Sequence, residues 1–197
     1  MIELECVLLT GGASRRMGTD KASLTVGGEP MVERLARQLL SITPNVTLMG
    51  PHRVEGCRTV PDDHAHLGPL PALARFEPRA SKVFVLACDV PLFDPRLVPL
   101  LNSQLRQEDD AVVPLWQGTA QPLCALYRDR AFGELRLLGK LGESRLMPWL
   151  NQIAARYVPS ENIVREGLDP RCVAGADTPE ALEALLQHAG GAENDAG

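Results

Sequence analysis

The 197-residue sequence predicts an α/β protein, a three-layer sandwich with helices on both faces of a mostly parallel sheet. Three observations carry this. Apolar strand-like runs alternate with helix-period segments along the chain. The run at 82–87 (KVFVLA) is continuous and rich in β-branched residues, as in a strand covered on both faces. The two most conspicuous loops, 10–21 and 88–93, each follow such a run, and ligands of open α/β sheets sit beyond the carboxyl ends of the strands.

The elements follow in order. Residues 4–10 (LECVLLT) form a first strand that ends at Gly11-Gly12. Residues 30–43 form a helix with Pro30 suited to its first turn. Met31, Val32, Leu35, Ala36, Leu39 and Leu40 fall on one 3.6-period face. A short strand at 45–49 and a helix at 69–77 come next, then the apolar strand at 82–87, broken by CDVPLFDP. A helix at 95–106, strands at 110–115 and 122–127, and helical stretches near 129–138 and 144–153 follow. The last helix, 179–188, has Thr178 as its N-cap. Residues 1–189 are expected to form one domain, with the small polar tail 190–197 disordered.

Composition narrows the function. Hydrophobic residues make up 45% of the chain and aromatic residues only 4%, so aliphatic side chains must fill the core. A formal net charge of −5 argues against general nucleic-acid or membrane-surface binding. Cys6, Cys57, Cys88, Cys124 and Cys172 are odd in number, scattered and without a CxxC pair, which points to neither a disulfide framework nor a zinc site. The start MIELECVLL lacks a basic region, and no apolar stretch approaches the ~20 residues that span a bilayer. A cytoplasmic location is expected.

Against the acidic background, Arg15, Arg16 and Lys21 in LLTGGASRRMGTDK mark a site. Glycines at 11, 12 and 18 let backbone amides approach a ligand, and amides in such a loop cradle phosphate oxygens. A glycine turn alone is the default at many strand ends; two arginines and a lysine in the same loop turn the reading towards phosphate. The loop is neither GxxxxGK[ST] nor GxGxxG.

LTGGASRRMGTDK resembles the LAGGxSxRMGxDK signature of nucleotidyltransferases that activate a phosphorylated acceptor with an NTP, and most closely that of the molybdenum cofactor guanylyltransferases, the MobA-like family. Gly11–Lys21 fit without a gap; Thr10 departs from the family's Ala. LTVGGEPMVERL (24–35) resembles the family's hairpin and helix, DDHAHLGPLPAL (62–73) its aspartate and GPLAG turn, and FVLACDVPLF (84–93) its strand ending in a metal-binding CDxP. QPLCALY (121–127) resembles the acceptor-side strand and ADTPEAL (176–182) the terminal NTPEEL, with Gly175 and Asp177 in place of two asparagines. The family's asparagine near the end of the second strand has no counterpart in TLMGPHR; Gly50 stands nearest, and the role is not carried over.

The resemblance implies a Rossmann-like nucleotidyltransferase fold and a definite chemistry. A terminal phosphate of molybdopterin attacks the α-phosphorus of GTP, and pyrophosphate leaves. By resemblance Asp89 is the Mg²⁺ ligand, a hard oxygen donor for a hard cation. Lys21 and Arg16 neutralise the triphosphate, and Leu9, Thr10, Gly11, Gly12 and Asp62 bind the nucleotide, with Asp62 favoured over Asp63. GTP and molybdopterin are the implied partners, with transient contacts to other molybdenum cofactor biosynthesis or acceptor proteins. The competing functions are a cytidylyltransferase or sugar-phosphate nucleotidyltransferase of the same superfamily, and a non-catalytic nucleotide-binding module. DDHAH reads as a polar loop beside the substrate in preference to a metal site, Trp149 as packing, and Trp116 as packing with the acceptor groove as its alternative. The ALEALLQ stripe reads as core packing.

Overall fold

The computed structural model describes residues 2–11, 25–61 and 68–187. Strand β1 (Ile2–Leu9) is an interior strand of the sheet. A small hairpin, β2 (Thr25–Val26) and β3 (Glu29–Pro30), precedes helix α1 (Met31–Leu40). Then come β4 (Val46–Met49), β5 (Arg58–Val60), α2 (Pro69–Ala74) and β6 (Ala80–Ala87). Helix α3 (Leu97–Gln104), strands β7 (Ala111–Trp116), β8 (Thr119–Ala120) and β9 (Cys124–Arg128), and helices α4 (Ala131–Lys140) and α5 (Met147–Leu150) follow. The chain closes with β10 (Ala155–Val158), α6 (Ser160–Arg165), a 3₁₀ turn at Pro170–Val173, and α7 (Pro179–Gln187).

The strands lie in the order β10-β7-β9-β6-β1-β4-β5, with β8 paired to β7. Along that path only β9 runs antiparallel to its neighbours. Alternation along β1 divides the core: Cys6 and Leu8 face Met31, Leu35 and Leu39 of α1 and Leu97 and Leu101 of α3. Val7 and Leu9 face Leu70 and Leu73 of α2 and Phe132 and Leu135 of α4. The sandwich and the mostly parallel sheet are therefore as the sequence predicts. Successive crossovers leave β1 on opposite sides, α1 leading to β4 and α2 returning to β6. That reversal makes the carboxyl ends of β1 and β6 a topological switch point, where a crevice opens.

Several boundaries differ from expectation, each for a local reason. The strand predicted to end at residue 10 ends at Leu9, because Thr10 and Gly11 turn their N–H groups onto Met49. The helical stretch predicted at 144–153 shrinks to Met147–Leu150. The Glu143 carboxylate there accepts the N–H groups of Ser144 and Arg145 at 2.9 Å each and holds a turn instead. The helix predicted over 95–106 starts at Leu97, behind an Asp94 carboxylate that accepts the Arg96 N–H at 2.9 Å. The ALEALLQ stripe is rim packing and not core: α7 has no fully buried residue, and Leu182 and Leu186 rest half-buried on the core. Trp149 is fully buried, stacked on Tyr127, with its indole N–H on the Ala131 carbonyl at 3.0 Å. The tail 190–197 lies outside the described residues. Among the described residues no helix is long and apolar enough to cross a membrane.

One buried carboxylate ties β1 to β6. Glu5 is 3% exposed, and its Oε1 accepts the N–H groups of Arg79 at 2.5 Å and Ala80 at 2.9 Å. Hydrogen bonds to a charged group contribute about 1.5–3 kcal/mol each, and orphaned buried donors add to the loss. Glu5→Ala is expected to lower stability by about 3 kcal/mol in urea denaturation, with Glu5→Gln recovering a large part. Equal stability of Glu5→Ala and the parent chain would show that the carboxylate is not what starts β6 beside β1.

Candidate active site

Four strand ends are fastened into one edge at the switch point. The Cys88 N–H donates to the Leu9 carbonyl at 3.0 Å, joining β6 to β1. On the other side the Met49 carbonyl accepts from Thr10 N at 2.9 Å, Gly11 N at 3.2 Å and the Thr10 hydroxyl at 3.3 Å, joining β1 to β4. Gly50 N donates to Val60 at 3.0 Å and brings in β5. Thr10 is 3% exposed, so the methyl and hydroxyl that distinguish it from the family's Ala are packed inside the edge. Gly11 is exposed.

Gly50 is what allows the strand ends to close. Its φ is +141°, in the left-handed region. A Cβ there would stand 2.5 Å from Thr10 Oγ1 and 2.6 Å from Gly11 N, well inside van der Waals contact. The motif reading met Gly50 only as the residue nearest the family's absent asparagine and gave it no role. The available signal was a glycine directly after an apolar strand, the usual mark of a close backbone approach.

Asp89 follows β6 by two residues and is partly exposed, between buried Cys88 and buried Val90 and Pro91. Phe93, stacked on Phe84, packs the far side of the turn, and Phe93 N donates to the Val90 carbonyl at 3.3 Å. The Asp89 carbonyl accepts the Ala176 N–H at 2.8 Å, so a strap from the C-terminal part of the chain holds the residue from above. A Cβ on Gly175 would lie 3.5 Å from Asp89 Oδ1, so this strap borders the carboxylate itself.

Leu9, Thr10, Gly11 and Asp89 are thus brought together. Gly12, Arg16, Lys21, Asp62 and Asp63 lie outside the described residues, as does all of DDHAHL. Among the described residues no group of three or more His, Cys, Asp or Glu side chains could form a metal cage. A hard cation held by one carboxylate with waters and substrate phosphates needs no such cage, and the Asp89 oxygen donors at the crevice fit it.

The thiols nearby are not nucleophiles. Burial, then Cys172 and Asp89, push Cys124 well above the ordinary thiol range. Burial, then Asp94 and Asp169, push Cys172 up to about 12. Both are neutral thiols near pH 7, and thiolate is the reactive form.

Comparison with known proteins agrees with this geometry. The family model of the MobA-like NTP transferase domain matches residues 6–157. A protein of Pelotomaculum thermopropionicum named "Probable molybdenum cofactor guanylyltransferase" is 31% identical over 169 residues, covering 83% of this chain and 82% of its own. The crystal structure of molybdopterin-guanine dinucleotide biosynthesis protein A from Archaeoglobus fulgidus superposes with a TM-score of 0.80 at 20% identity, covering 94% of this chain and 98% of that one. The 2-C-methyl-D-erythritol 4-phosphate cytidylyltransferase of Thermus thermophilus superposes with a TM-score of 0.64 at 16% identity, covering 95% and 99%. The last two identities establish a shared fold and nothing finer.

Gly50→Ala is expected to force the β1 and β4 ends apart. Positive φ and two contacts under 3 Å predict a loss of about 2–4 kcal/mol in urea denaturation, at the upper end for a single methyl. Nucleotide affinity should fall with it. A variant that melts and binds like the parent would show that the two strand ends are not interlocked.

Proposed function

The chain belongs to the MobA-like NTP transferase family, and on that premise we propose that it transfers GMP from GTP to the phosphate of molybdopterin, forming the guanine dinucleotide cofactor. An acceptor phosphate oxygen attacks the α-phosphorus, a new phosphoanhydride bond forms, and the bond to the bridging oxygen of pyrophosphate breaks. The supporting observation is the Cys88-to-Leu9 hydrogen bond, which brings the start of the Asp89 turn against the end of β1 that leads into Thr10 and Gly11. Phosphoryl chemistry depends mostly on such positioning and on charge. Mg²⁺ held at Asp89 would polarise the phosphorus and offset repulsion between the two anions. Arg16 and Lys21 are the proposed partners of the triphosphate, and Asp62 of the nucleotide. A cytoplasmic location, and transient contacts with other proteins of cofactor assembly, go with this reading.

The fold is shared with a protein named as a cytidylyltransferase, so the base has to be argued from the turn. The Thr10 and Gly11 amides are engaged by Met49, and among the described residues no hydrogen bond takes their carbonyls. A base read at this turn therefore meets acceptors. Guanine presents N1–H and an exocyclic amine side by side, whereas cytosine offers only its N4 amine. GTP is expected to bind at least tenfold more tightly than CTP in calorimetry with Mg²⁺, about 1.4 kcal/mol. Equal or reversed affinities would favour the cytidylyl function.

Asp89→Asn keeps the side chain's size and removes its charge. The Ala176 N–H bond is to the backbone carbonyl and survives the change. The thermal melt should stay close to the parent's, while transfer of GMP to molybdopterin under saturating Mg²⁺ falls by orders of magnitude. Full activity at low Mg²⁺ would remove Asp89 from the metal site.

A further inference from the structure

We propose that Trp116 is a wall of the acceptor site, against which the fused heterocycle of the acceptor stacks while its phosphate lies at Asp89. This rests on the acceptor class argued above. The register of the sheet supplies the placement. Phe84 of β6 and Val112 of β7 both pair with Leu126 of β9, on opposite sides of it, and all three side chains face one core cluster. Both strands run antiparallel to β9 and therefore parallel to each other, so their carboxyl ends, Ala87 and Trp116, lie at one edge of the sheet. Cys88 belongs to that cluster and Trp116 packs against it, partly exposed. Asp89 is the next residue after Cys88, so carboxylate and indole both belong to that carboxyl edge.

A strap of backbone links the two strands. The 3₁₀ turn Pro170–Val173 packs on β7, and the chain runs on through Ala174 and Gly175 to the Ala176 N–H held by Asp89. From the end of that turn to the Asp89 carbonyl it carries no side chain larger than a methyl. Gly175 is exposed. An aromatic ring and a carboxylate at one sheet edge, joined by a strap of small residues, suit a flat ring system carrying a short phosphorylated arm.

Trp116 is also held rigidly. It enters a two-residue hairpin turn whose central residues, Gln117 (φ 49°) and Gly118 (φ 77°), both take the left-handed conformation of a type I′ turn. Gln117 is the only non-glycine among the described residues with positive φ, and such strain gathers at ligand clamps. The Ser160 hydroxyl donates to the Leu115 carbonyl at 2.9 Å and pins the strand just before the indole.

The two tryptophans make the test direct, because Trp149 is fully buried against Tyr127 and out of reach of a bound ring. Titrating the protein with a soluble pterin, and separately with molybdopterin, should quench tryptophan emission saturably, and Trp116→Phe should abolish that quenching. Trp116→Ala should raise the KM for molybdopterin at least tenfold and leave the KM for GTP unchanged, with Trp116→Phe restoring the acceptor KM. Saturable quenching that persists in Trp116→Phe overturns the proposal, and this arm decides if Trp116→Ala fails to fold. So does a molybdopterin KM within twofold of the parent's in a folded Trp116→Ala. If the parent transfers GMP to molybdopterin and these variants behave like it, the aromatic wall alone falls. If the parent transfers none yet pterin quenching depends on Trp116, the acceptor identity falls and the ring site stands.

Discussion

The Met49 carbonyl is the point on which the rest of this edge depends. Thr10 N, Gly11 N and the Thr10 hydroxyl all aim at it, within 2.9–3.3 Å. A carbonyl has two lone pairs, so three donors share it, and they do so only if the end of β1 lies hard against the end of β4. That closeness leaves no room for a side chain at Gly50 and sends the following loop off from a fixed point. On its other side β1 gives the Leu9 carbonyl to Cys88, so the residue next to Asp89 is held by the same strand. Thr10, Gly11 and Asp89 are thereby held through the same strand end, and positions set in advance need no reorganisation when charge moves.

Charge is distributed to suit. The chain carries a formal −5, yet its proposed substrates are polyanions. Many arginines of the described region are already engaged with carboxylates of their own. Arg96 and Arg171 pair with Asp94 and Asp169 two residues earlier, in two copies of Asp-Pro-Arg, and Arg145 pairs with Glu143 in the same spacing. In each case the carboxylate also accepts a backbone N–H, so these pairs shape turns. Arg145, through its hydrogen bonds to the Glu143 carboxylate, holds that group down to about 2. Arg156, partnered with the buried Asp109, fastens β10 beside β7.

How legible this was follows from the range over which each feature is determined. Continuous apolar runs located β1, β4, β6 and β9, because burial on both faces writes itself into composition. The N-cap at Thr178 was equally local, and its hydroxyl accepts the Ala181 N–H at 3.2 Å. The edge strands β5 and β10 were missed: Arg58–Val60 and Ala155–Val158 are short, half-exposed and without an apolar pattern. Asp89 was legible as a carboxylate ending an apolar strand. Its fastening was not, because Ala176 is distant in sequence and contributes only an N–H. Gly50 likewise serves through what it lacks, and the residues it accommodates lie on another strand.

Asp89 also joins the most and the least deeply packed parts of the described chain. Val83 to Leu86 of β6 are fully buried, between two core clusters, and carry the residue outward on a rigid base. The strap that meets it leads straight into α7, which rests on the core through half-buried Leu182 and Leu186 and receives one long hydrogen bond, from Arg171 to the Leu185 carbonyl at 3.5 Å. Segments with few buried apolar contacts open at lower free energy than core strands. Release of α7 would leave the position of Asp89 set by β6 and the Leu9 carbonyl, and would free the Gly175 side of its carboxylate. The carboxylate is thus carried from below by a buried strand and bordered from above by a strap that leads into a shallowly docked helix.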